Sequence, residues 1–204
     1  MYSTATKDID ELRSQLALAD KLLSEALELI LHYKELSIVD HLTGIGNSRA
    51  FELAIEQTSA EAARSGLPFS LVMIDVDKFK KVNDELGHQG GSRVLQEIVC
   101  IMTAAKRKAD SIFRTGGDEF YLIMPNTEAK EAVLAVNRLL TVVAETPIGL
   151  LGRPVTVSCG LSTWTKEVAE EHGESTVCKL IENADRCMYS AKKFGNTVCD
   201  SQLM

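Results

Sequence analysis

The sequence predicts a mixed α/β body built on one central sheet, preceded by a single long helix. Short apolar runs bounded by turn residues alternate with longer segments of helical period, the pattern of an α/β or α+β sheet protein. The first 36 residues contain neither glycine nor proline and repeat their apolar positions in steps of three and four. At 204 residues, 45% hydrophobic and 25% charged, the chain suits one buried core with an appendage, which excludes disorder as its main state.

The appendage comes first. Ile9, Leu12, Leu16, Ala19, Leu23, Ala26, Ile30 and Tyr33 form a heptad seam in a stretch rich in Leu, Ala, Glu and Lys, so periodicity and helix propensity agree as far as about Leu36. A coiled-coil homodimer is the expectation. Leu18, Leu22, Leu27, Leu29 and Leu31 widen the stripe, which leaves a helix folded onto its own body as the alternative. The domains are therefore residues 1–37, a dimerisation stalk, and residues 38–204, the body.

In the body, Asp40-His41-Leu42-Thr43-Gly44-Ile45-Gly46-Asn47 reads as a turn, with Asn47 or Ser48 capping a helix to residue 65. Gly66-Leu67-Pro68 then breaks the chain before a buried strand over 69–74, stopped by Asp75-Val76-Asp77. Helical pattern follows to residue 86, with a separate helix over 92–106. Strands over 111–114 and 120–124 flank a turn at 115–119, making a hairpin. A helix over 127–145, a strand over 155–161, a helix over 176–193 and a short strand near Val198 complete the order.

Composition excludes several functions. A net charge of −7 argues against a non-specific DNA binder, whose affinity comes from Lys and Arg on phosphates. No apolar run approaches the length of a membrane span, and the first residues carry no basic region followed by an apolar stretch, so a cytoplasmic location is expected. Cys100, Cys159, Cys178, Cys187 and Cys199 never form a C-x-x-C pair and read as small apolar residues.

The acids at the sheet edge are more informative. If the strand ending at Asp75 pairs with the hairpin, Asp75, Asp118 and Glu119 converge, and a hard cation relieves their repulsion. Mg²⁺ takes one or two carboxylates and fills its other positions with water and phosphate oxygens, so the spacing points to a Mg²⁺–nucleotide site. Gly116 and Gly117 let a base or phosphate approach the main chain. The plainer alternative is a type I′ hairpin with solvated acids.

Gly116-Gly117-Asp118-Glu119-Phe120 resembles the signature of the GGDEF diguanylate cyclases. Asp40-His41-Leu42-Thr43 is similar to that family's D-x-L-T turn, and Asp75-Val76-Asp77-Lys78-Phe79-Lys80 to its metal strand. Asn83-Asp84-Glu85-Leu86-Gly87-His88 resembles its guanine loop, and the segment from Ala184-Asp185 to Ala191-Lys192 its late helix. The resemblance spans about residues 38 to 200. It implies a palm-like, nucleotidyl-cyclase-like sheet flanked by helices. It also implies condensation of two GTP into cyclic di-GMP across a homodimer, each 3′-hydroxyl attacking the other α-phosphate.

By position, Asp75, Glu119 and the Val76 carbonyl would hold Mg²⁺, or Mn²⁺ in its place, with Asp118 as base or second-metal ligand. Lys80 would stabilise phosphate charge, with Gly116, Gly117 and the main chain at Lys78 and Phe79 near the phosphates. Asn83 would bind guanine, His88 shape its pocket, and Lys192 reach the triphosphate. Arg107-Lys108-Ala109-Asp110 resembles the R-x-x-D inhibitory site, where Arg107, Asp110 and Arg114 would bind the cyclic dinucleotide product.

The sequence departs from the family pattern twice. Ser92 replaces the acid that reads the guanine donor edge, which relaxes purine selectivity and is shared with a subgroup that makes hybrid cyclic GMP-AMP from GTP and ATP. A helix N-cap is the alternative role for Ser92. Asn196 replaces a triphosphate-binding arginine, and Lys193 could compensate for it. Two further function classes stand beside the enzyme: a non-catalytic cyclic-dinucleotide receptor using the R-x-x-D site, and a coiled-coil interaction protein. The upstream signalling partner is not encoded in these motifs.

Overall fold

The computed structural model describes residue 13, residues 15–30 and residues 37–201. It divides into two units, Met1–Ser37 and Ile38–Met204. In the first, residues 15–30 are helical, and seam residues Leu16, Leu23 and Ile30 are more than half exposed. The seam positions Ile9, Leu12 and Tyr33, and the expected end of the helix, lie outside the described residues.

The body follows the expected alternation. Helix α1 (Ser48–Ser65) starts where Asn47 accepts a hydrogen bond from the Ala50 N–H at 3.0 Å, and stops at left-handed Gly66. Strand β1 (Phe69–Val76) leads into α2 (Phe79–Ala105), then β2 (Ser111–Gly116), β3 (Glu119–Pro125) and α3 (Ala129–Glu145). Strand β4 (Val157–Trp164), a short α4 (Lys166–His172), a 3₁₀ turn, α5 (Thr176–Lys192) and β5 (Val198–Asp200) close the body. The five strands lie in the order β2-β3-β1-β4-β5. Strand β1 runs antiparallel to both β3 and β4, and β5 pairs in parallel with β4.

Every residue of β1 is buried, because both sheet faces are covered. Val72, Ile74 and Val76 pack with residues of α2 and α3, including Val94, Ile98, Val136 and Leu139. Phe69, Leu71 and Met73 pack with residues of α1 and α5, including Phe51, Ile55, Leu180 and Met188. Alternation along β1 thus puts Asp75 on the α5 face. Helix α5 lies so close to β4 that a Cβ at Gly160 would overlap the Ala184 carbonyl and the Met188 N–H, so only glycine fits there.

Three expectations change. The two helices expected around residue 87 form one span broken at Gly87 (φ 70, ψ 169), and the helix resumes at once. Ser92 therefore lies inside α2 and is not its cap. Helix α4 falls between the strand expected over 155–161 and the helix expected over 176–193, where no element is expected from the sequence, although Thr165, which accepts from the Val168 N–H at 3.4 Å, is an N-cap signal. At the hairpin, Gly117 has positive φ but Asp118 does not, so the turn is not type I′.

Candidate active site

Asp75, the penultimate residue of β1, lies directly opposite Glu119 in the β1–β3 register. Opposed side chains of an antiparallel pair share one face with Cβ atoms about 5 Å apart, so the two carboxylates stand side by side. The Val76 N–H donates to the Asp118 carbonyl at 3.3 Å, which fixes the hairpin tip on the end of β1. Asp75 is only 6% exposed. Burial pushes its carboxyl up to about 6; the charges of Asp118 and Glu119 add to that shift, and Lys192 opposes it.

The Oδ1 atom of Asp75 is shut off from solvent and accepts no well-directed hydrogen bond. Its close partner is the Lys192 ammonium from the end of α5, in ion-pair contact. Among the described residues, no three His, Cys, Asp or Glu side chains are drawn into a metal cage, so the expected three-carboxylate cluster is not assembled. A paired Asp75 and Glu119 nevertheless suit Mg²⁺, which needs only one or two protein carboxylates. A buried, charge-disfavoured carboxylate, ion-paired to one lysine and opposed to a second carboxylate, is the chemistry such an ion relieves.

Helix α2 begins beside this pair. Lys78 is left-handed (φ 57, ψ 30) and supplies no side-chain cap, so the first-turn N–H groups at Phe79 and Lys80 are left for another acceptor. Lys80 is exposed on that turn. One turn on, Asn83 lies against Gly91, where a Cβ would overlap its Oδ1 and stand 3.2 Å from Phe79 Cζ. That close approach packs Gly91 of the resumed helix on Asn83 across the Gly87 break, with Ser92 next along the chain. Ser92 is half-buried, and its hydroxyl has no hydrogen bond among the described residues. His88 is exposed at the resumed helix.

Lys78, Lys192, Lys193 and Asn196 line one cavity of about 330 Å³ with Asp77 and Thr156. Lys193 Nζ lies 5.4 Å from the centre of the Tyr189 ring. Asn196 is left-handed (φ 47), and its N–H is bonded to Asp77 at 2.9 Å.

The inhibitory constellation is corrected in one member. Arg107 is exposed, and its N–H donates to buried Asp110 at 2.8 Å, closing that loop. Arg114 is elsewhere. Its guanidinium forks onto Asp40 at 3.0 and 3.1 Å, and onto the Gly117 carbonyl at 2.7 and 3.0 Å. It therefore ties the turn that opens the body to the hairpin tip. Burial pushes the Asp40 carboxyl up, but the Thr43 hydrogen bonds and the Arg114 charge outweigh it and hold the carboxyl below its ordinary value. The residue beside Arg107 is Arg138 of α3, across a cavity of about 280 Å³ that they share with Glu131, Leu134 and Ala135. No motif marks Arg138; only the packing of α2 on α3, seen in its 3.3 Å bond to the Ala105 carbonyl, reveals it.

The model of the "Diguanylate cyclase, GGDEF domain" family matches residues 37–197. This chain belongs to the GGDEF family. It is 33% identical over 162 residues to diguanylate cyclase DgcP of Pseudomonas aeruginosa, covering 79% of this chain and 23% of that protein. It is 34% identical over 168 residues to the response regulator PleD of Caulobacter vibrioides, covering 80% and 36%. The chain thus spans about a quarter to a third of these relatives. Among solved structures, diguanylate cyclase SiaD of Pseudomonas aeruginosa in complex with its activator SiaC superposes with a TM-score of 0.73 at 30% identity. That match covers 97% of this chain and 75% of the other. The coiled coil and GGDEF domain of DgcB from Caulobacter crescentus, in complex with c-di-GMP, gives 0.72 at 25% identity, covering 93% and 98%. The GGDEF fold carries the mixed sheet described above, and no described helix is long and apolar enough to cross a membrane.

Proposed function

We propose that the body joins two GTP into cyclic di-GMP, with each of two cytoplasmic subunits presenting one nucleotide. The observation that carries this is Asp75, buried without a directed hydrogen bond and opposed to Glu119 at the end of the sheet. Asp75, Glu119 and the Val76 carbonyl would hold Mg²⁺ or Mn²⁺, which when bound neutralises phosphate charge and polarises the α-phosphorus. Asp118 at the hairpin tip would take the proton of the attacking 3′-hydroxyl or serve as a second-metal ligand. The 3′-oxygen forms its bond to the α-phosphorus as the bond to the pyrophosphate oxygen breaks, and a second attack closes the ring. Lys80 and Lys192 would meet the charge left on the phosphates, Lys192 leaving Asp75 to do so. Asn83 would read guanine, with His88 at the pocket edge.

Ser92 favours a second product. Its hydroxyl, free of protein hydrogen bonds among the described residues, can donate or accept, and so accommodates adenine as well as guanine. Hybrid cyclic GMP-AMP from GTP and ATP follows. Cyclic dinucleotide would return to the cavity of Arg107 and Arg138 as inhibitor, and residues 1–37 would pair two subunits.

Mass analysis of products from GTP with Mg²⁺, then from equimolar GTP and ATP, tests the proposal. Cyclic di-GMP with pyrophosphate is expected from the first mixture and cyclic GMP-AMP in addition from the second. Absence of any cyclic dinucleotide overturns synthesis; tight binding of cyclic di-GMP without turnover would mark a receptor instead.

A further inference from the structure

The second aspartate of Asp75-Val76-Asp77 takes no part in the carboxylate pair. Its Oδ1 accepts from the Ser158 hydroxyl at 2.7 Å, and its Oδ2 from the Thr156 hydroxyl at 2.7 Å and the Asn196 N–H at 2.9 Å. Its own N–H donates to the Thr156 carbonyl at 2.9 Å. Three donors on one carboxylate make a charge-assisted junction of fixed geometry and leave little of it for a cation. The segments joined are the end of β1, the residues around the start of β4, and the loop that follows α5.

That loop needs an anchor. Gly195 (φ 72) and Asn196 (φ 47) are successive left-handed residues, and a Cβ at Gly195 would stand 3.6 Å from Asp77 Oδ2. The loop begins just past Lys192 and Lys193, which line the cavity of about 330 Å³ together with Lys78 and Asp77. We infer that Asp77 is a positioning residue that clamps the loop after α5 onto the end of β1 and so sets Lys192 and Lys193 for a triphosphate. This rests on the nucleotide reading of the site. Residue 196 acts in the clamp through its main chain, so an asparagine serves where the family has arginine, and phosphate contact passes to the lysines.

Isothermal titration of the full chain with GTP and Mg²⁺, and separately with guanosine, tests it, alongside melting curves. Asp77→Ala should weaken GTP binding about tenfold or more and leave guanosine unchanged, with KM rising more than kcat falls. Asp77→Asn should stay within about threefold of wild type, since an amide oxygen can accept from Thr156 and Asn196 while its nitrogen donates to Ser158. Thr156→Val with Ser158→Ala, which keeps Asp77 but removes two donors, should fall between the two and carries the comparison if Asp77→Ala does not fold. Wild-type GTP affinity in Asp77→Ala overturns the inference, as does equal loss of GTP and guanosine. A loss in Asp77→Asn as large as in Asp77→Ala also overturns it and marks a cation ligand. A wild-type chain that binds no GTP overturns the nucleotide reading instead.

Discussion

Asp75 and Asp77 stand two residues apart, yet the fold treats them in opposite ways. Asp77 is saturated, holding two hydroxyls and a main-chain N–H. Asp75 is buried with one loosely directed lysine, and its carboxyl is pushed up to about 6. A saturated carboxylate fixes structure; an unsatisfied one stores a demand for positive charge that a cation can meet. Asp40 belongs with Asp77, since Thr43 and the Arg114 fork fill it and hold its carboxyl down.

Breaking the Asp75–Glu119 pair should have the largest effect. Glu119→Gln is expected to cut cyclic dinucleotide production at least about a thousandfold with little change in melting temperature; near-normal turnover would show that Glu119 is not part of the site. Breaking a saturated carboxylate should instead show in stability. Arg114→Lys loses the fork that spans Asp40 and Gly117 and should cost about 1–3 kcal/mol in urea unfolding, with turnover falling in parallel as the hairpin loosens.

The contrast sharpens with pH in metal-free protein. The folded-state carboxyl of Asp40 is lowered, so its contribution is full above the ordinary 3.8 and is lost as pH falls through the folded value. Asp40→Asn should therefore melt below wild type at neutral pH, with the gap closing in acid. The folded-state carboxyl of Asp75 is raised, so between 3.8 and about 6 the folded protein holds more protons than the unfolded, and stability falls as pH rises through that window. Asp75→Asn should gain on wild type across it. Melting temperatures in chelator, followed from pH 3 upward in steps, would show gaps of the same sign if this contrast is wrong. The smallest effect is on selectivity: Ser92→Asp should shift the ratio of cyclic di-GMP to cyclic GMP-AMP about tenfold toward the former, measured by mass analysis.

Much of this was legible in the sequence. The apolar run before Asp75 and the glycines before Asp118 give strand, hairpin and acids, because burial and turn chemistry are local signals. The roles of Arg114 and Arg138 were not legible. Each depends on a partner far along the chain, Asp40 for one and the α2–α3 contact for the other, and R-x-x-D spacing alone drew Arg114 toward the wrong neighbour. The same holds for Asp77, whose three partners lie about 80 and about 120 residues away, around the start of β4 and in the loop after α5. The alternative role for Ser92, an N-cap, rests on serine's fitness for that position, whereas the helix breaks at Gly87 and resumes before Ser92.

Asp75 carries the proposed chemistry most directly. Wild-type chain and Asp75→Asn, incubated side by side with GTP and Mg²⁺ and followed by mass analysis, should differ completely: cyclic di-GMP and pyrophosphate from the first, and unchanged GTP from the second. Equal product from both would contradict it.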